Sequence, residues 1–86
     1  MRLETGKDKK MKFPIVNMRK TGQNIRILRT ERGISVRELS RMMGFSTPQA
    51  IYKWQHGRSL PTVDNLVALA AIFAVPIDAI LAIDAA

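Results

Sequence analysis

GFSTPQAIYKWQHGRSLP, residues 44–61, is bounded by turn formers at both ends: Gly44, Ser46, Thr47 and Pro48 in front, Gly57 and Pro61 behind. Thr47 reads as an N-cap, Pro48 as the first helical position and Gly57 as the residue just past the end, which predicts a helix of about two and a half turns. At ~100° per residue, Ala50, Ile51 and Trp54 gather on one side and Gln49, Tyr52, Lys53 and His56 on the other. So short a helix with so much polar surface is not built for the core alone. One face anchors it and the other is offered outward.

The preceding stretch supplies that helix with a partner. SVRE at residues 35–38 is a capping box, with Ser35 at the N-cap, Glu38 three positions on, and Ile34 and Leu39 placed to staple the entry. Val36, Leu39, Ser40 and Met43 then repeat at helical spacing, and Gly44 ends the segment. Ser40 is small where the next helix must cross closely. Upstream, Ile25, Leu28 and Arg29 share one face of a first helix read from Thr21, with Gly33 after its end. Downstream, Thr62 caps a fourth helix whose expected buried face is Val63, Leu66, Val67, Ala70 and Phe73. Pro76 opens a fifth, with Ile77, Ile80 and Leu81 inward. No alternating strand pattern or internal repeat is present, so the expected class is all-α.

Two helices joined by a short turn, the second brief and amphipathic, have helix-turn-helix geometry. Residues Thr21 to Leu81 resemble the Cro/C1-type (Xre-like) helix-turn-helix domain of phage lambda repressor and many bacterial regulators. The resemblance rests on the joint spacing of LR, GFS, W-x-x-G and the LP before the fourth helix. It implies a compact five-helix lambda repressor-like domain that binds double-stranded DNA, with the third helix in the major groove. Two departures stand out. The turn is one residue longer than the family's usual pattern, with Thr47 the extra residue. Gln55 stands where the family often has a Glu paired with the Arg that matches Arg29, leaving Arg29 to a neutral amide, a main-chain carbonyl or water.

Residue chemistry adds to that expectation. Gln49, Tyr52 and Lys53 are the candidates for base contact, since an amide pairs bidentately with adenine and the others lie one turn further on. Arg37, Ser46, Thr47, Arg58 and Lys20 are candidates for phosphate contact, with main-chain N–H groups at the starts of helices two and three. Trp54, Ile51 and Val36 fall on the buried side and read as core. Met42 and Met43 read as packing, and His56 as a surface residue without metal-ligand neighbours.

Composition sets the outer bounds. Eighty-six residues suffice for one small domain, and the absence of cysteine leaves packing to hold it, in keeping with a reducing cytoplasm. The net charge of +7 is unevenly spread: residues 1–20 carry +5, leaving +2 for the rest. The expected organisation is a basic, flexible arm over residues 1–20, a domain over 21–83 and a tail over 84–86. The arm reads either as a phosphate-tracking extension or as a plain tail. No apolar stretch suits a signal peptide or a membrane span, and no residue constellation suggests catalysis, a metal or a cofactor. The expectation is a cytoplasmic, nucleoid-associated protein of bacterial or phage origin, a transcriptional regulator of the repressor type. A homodimer on DNA, using the apolar AILAIDAA end, belongs to it. The alternatives are an antitoxin that also binds a toxin, and a protein-binding helical module.

Overall fold

A computed structural model describes residues 13–85. Asn17 caps the first helix, α1 (Met18–Glu31), by accepting the Lys20 N–H at 2.9 Å through its side-chain oxygen. The helix therefore begins three residues before Thr21, and Arg19 and Lys20 belong to it rather than to an arm. Residues 1–12 of the expected arm lie outside the described residues.

α2 (Val36–Met42) starts with both halves of the capping box formed: Ser35 Oγ accepts the Glu38 N–H at 3.0 Å, and Glu38 accepts the Ser35 N–H at 2.9 Å. The Ser35 N–H, and after it the Ser35 side chain, hold the Glu38 carboxyl below its usual value. Gly44, at φ 77°, turns the chain toward α3 (Gln49–Gln55). That helix starts later than expected. Pro48, with ψ 6°, is the cap residue, and neither its side chain nor Thr47 caps the first turn.

In α4 (Val63–Phe73) Thr62 accepts the Asn65 N–H as expected, but the buried stripe is Leu66, Leu69 and Phe73. Val63 and Val67 point to solvent at 73% and 54% exposure, which corrects the expected face. From Leu66 onward the helix is apolar nearly all round, so periodicity alone does not select its inner side. The fifth helix is absent: Ile77–Ala79 makes one turn of 3-10 helix before the chain straightens into a strand. The fold is helical as expected, with one short ribbon added. β1 (Pro14–Val16) pairs antiparallel with β2 (Ile83–Ala85), Ile15 opposite Asp84.

Each helix contributes to one core: Ile25 from α1, Leu39 from α2, Ile51 and Trp54 from α3, then Leu66, Leu69 and Phe73, with Ile80 closing it. Arg32 ties the ends of α1 and α4, donating to the Phe73 carbonyl at 2.8 Å with its guanidinium 5.8 Å from that ring's centre. The start of α1 is fastened to the segment before and within β2 by a polar clasp. The Asn17 N–H donates to the Ala82 carbonyl at 2.7 Å, the Ala82 N–H to buried Thr21 Oγ1 at 3.0 Å, and the Asn17 amide to Asp84 at 2.8 Å.

Candidate nucleic-acid interface

Ser40 sets the angle between α2 and α3. Its hydroxyl donates to the Thr47 carbonyl at 3.0 Å, and its own carbonyl accepts the Phe45 N–H at 2.9 Å, so the turn is pinned to the middle of α2. Phe45 then meets Trp54 edge to face, with ring centres 5.8 Å apart. Ile51 and Trp54 sit in the core at 0% and 4% exposure, so α3 cannot roll about its axis. On α1, Gly22 admits the α3 backbone where any side chain would collide with the Trp54 carbonyl.

Anchored in this way, α3 presents Gln49, Tyr52, Lys53 and His56 to solvent. These four residues and Arg58 line one shallow depression, so the three base-contact candidates and one phosphate candidate share a surface. The rings of Tyr52 and His56 stack with centres 6.3 Å apart and 18° between planes, which braces both. A second depression gathers Arg37, Ser46 and Thr47 with Arg41 at the α2–α3 turn. Among the described residues, no carboxylate comes within ion-pair distance of Arg37, Arg41, Lys53 or Arg58. The Arg41 charge helps to hold the Glu38 carboxyl down, and those of Arg37, Lys53 and Arg58 are left for an external anion.

Lys20 stands apart. It lies at the start of α1, its amine 4.0 Å from Asp84, and lines neither depression. The start of α2 is also poorly suited to phosphate, because Glu38 occupies it with a carboxylate already bonded to the Ser35 N–H. His56 and Arg41 line these depressions although the sequence reading gave neither a DNA contact. Arg41 follows Arg37 at i+4, a spacing that places both on one side of α2. Among the described residues, no helix is long and apolar enough to cross a membrane.

Arg29 holds the back of the site. Its Nε donates to Gln55 Oε1 at 2.9 Å and its Nη1 to the Ile34 carbonyl at 2.8 Å, so the neutral amide and a carbonyl together replace the carboxylate common at this position in the resembled family.

The fold recurs in solved structures. The restriction-modification controller protein C.AhdI from Aeromonas hydrophila is 24% identical, with a TM-score of 0.67 over 73% of this chain and 94% of that one. The DNA-binding domain of BldD from S. venezulae is 22% identical, with a TM-score of 0.66 over 77% of this chain and 97% of that one. Apo-HppE reaches a TM-score of 0.69 at 18% identity, but the match spans 36% of that longer chain, so the same helical unit also occurs inside larger proteins. No curated protein matches the chain by sequence. The helix-turn-helix family model matches residues 25–80, a span that runs from the first core residue of α1 through α2, the turn and α3 to Ile80, and by that match the chain belongs to the Cro/C1-type helix-turn-helix family.

Proposed function

We propose that the chain is a sequence-specific, double-stranded-DNA-binding transcriptional regulator that places α3 in the major groove. One observation carries the reading. A seven-residue helix, fixed by two core residues, exposes Gln49, Tyr52 and Lys53 beside cations that have no carboxylate partner among the described residues. Gln49 leads into the groove and reads an adenine edge, with Tyr52 and Lys53 one turn behind. Arg58 on one side and Arg37 and Arg41 on the other hold flanking phosphates, assisted by Ser46 and Thr47. The likeness to a controller protein and to a DNA-binding domain agrees with this role.

One such helix spans few base pairs, so the proposal includes two copies on a two-fold-symmetric site, with half-sites about 34 Å apart. Within the AILAIDAA end Ile80 is fully buried, whereas Ile83, in the strand paired to β1, keeps an exposed apolar side chain for such a contact. Selection of bound duplexes from a random pool, followed by a salt titration, tests the function. Enrichment of a palindromic motif with a steep salt dependence is expected. Recovery of unenriched sequences, bound no more tightly than random DNA, overturns it.

A further inference from the structure

A second pocket adjoins the recognition face, sharing Tyr52 and His56 with it and otherwise lined by residues given no DNA contact. Its lining is Arg26 and Arg29 of α1, Val36 at the start of α2, Tyr52 and Gln55 of α3, and His56 just past the end of α3. No Asp or Glu lines it. Arg26 is exposed and Arg29 half-buried, and among the described residues neither has a carboxylate within ion-pair distance.

The hydrogen bonding makes the pocket one-sided. A guanidinium has five N–H donors. Arg29 spends one on Gln55 and one on Ile34, and its remaining donors have no acceptor among the described residues. Among the described residues no buried side-chain polar atom lacks a partner, so Nη2 of Arg29, which has none, is not sealed from solvent. Gln55 uses its carbonyl oxygen on Arg29, and its amide N–H groups have no acceptor among the described residues. The Tyr52 hydroxyl can donate, as can a ring nitrogen of His56 in either protonation state. Two cations and several neutral donors therefore line one pocket with no carboxylate to oppose them. A Glu at position 55 would have reversed this, by cancelling the Arg29 charge and replacing the free amide donors with an acceptor.

We propose that this pocket binds a phosphate group, a tetrahedral ligand that accepts at every oxygen. Because Tyr52 and His56 also line the recognition depression, the ligand is either a backbone phosphate of bound DNA or a free phosphate. The first source rests on the DNA-binding reading above; the pocket itself does not.

Two arms test it on the full chain. In the first, inorganic phosphate is titrated while the Arg29 Nε–H resonance is followed by NMR, with chloride at matched ionic strength as control. A saturable shift is expected, lost in Gln55→Glu and weakened in Arg26→Ala. In the second, single methylphosphonates are walked along the selected duplex. If DNA supplies the group, one position weakens binding roughly tenfold for the wild-type chain and not for Gln55→Glu. A saturable shift with no such position assigns the pocket to free phosphate. No shift beyond that with chloride, together with no methylphosphonate position that distinguishes Gln55→Glu from wild type, overturns the proposal. Failure of DNA binding leaves the first arm intact, so the two readings fail separately.

Discussion

Gly22 of α1 passes against the main-chain carbonyl of Trp54 in α3. A methyl carbon on Gly22 would overlap that oxygen and lie within 3.0 Å of the carbonyl carbon. The recognition helix is thus set by backbone contact as well as by side-chain packing. Gly22→Ala would gain about 1 kcal/mol of helix propensity. Both obstructing atoms are main chain and cannot swing aside, so we expect a net loss of about 1–3 kcal/mol. Urea unfolding measures it, and an unchanged or higher midpoint would show that the helices separate at little cost.

Ala74 takes the left-handed conformation, φ 56° and ψ 47°, to end α4. Glycine has no Cβ to strain there, so Ala74→Gly should stabilise the fold by about 1 kcal/mol. A lower melting temperature would contradict the assigned turn.

Replacing Gln55 by Glu turns a neutral hydrogen bond to Arg29 into a charge-assisted one. The expected gain is about 1 kcal/mol, absent in an Arg29→Ala background. The same gain in both backgrounds would dissociate the two residues.

Reading and holding should separate on DNA. Gln49→Ala is expected to cost about 1–3 kcal/mol on a selected site and little on random duplex. Arg37→Ala and Arg58→Ala should weaken both alike, each lowering the salt slope by about 0.9. Lys20→Ala, with its amine beside Asp84, should change neither strongly. Equal losses on both DNAs for Gln49→Ala would remove the amide from base recognition.

The capping box makes stability depend on acid. Glu38 has its carboxyl pKa depressed in the fold by the Ser35 N–H, so its contribution is complete above the unfolded value of about 4.5 and disappears as pH falls through the lower folded value. Melting temperature should therefore fall less steeply in acid for Glu38→Gln than for the wild type. Parallel curves would mean that the carboxylate is not held by the cap.

What was legible in the sequence was local. Ser35 with Glu38, Thr62 and the three glycines with positive φ, Gly33, Gly44 and Gly57, act within a few residues of themselves, and each marks a helix end in the structure. The outward set on α3 was legible because Ile51 and Trp54 leave only one way to turn that helix. What escaped was long-range. A three-residue strand such as Pro14–Val16 is too short to show alternation, and its partner lies some seventy positions away. The fit of Gly22 to α3 and the bond from Arg32 to Phe73 have no signature within their own helix. The pocket behind α3 needed both: Gln55 stood out in the sequence, but only the fold places Arg26 beside it.

The clasp between Asn17, Thr21 and Ala82 spans almost the whole domain, whereas the helix contacts around α2 and α3 join near neighbours. Loop-closure entropy makes so distant a connection the costlier one to form, and the exposed strands return little apolar burial for it. The ends should therefore loosen and refasten while the recognition helix stays in place. Amide exchange at Asn17 and Ala82 is expected to run ahead of exchange at Trp54, so this small domain opens at its seam before its centre.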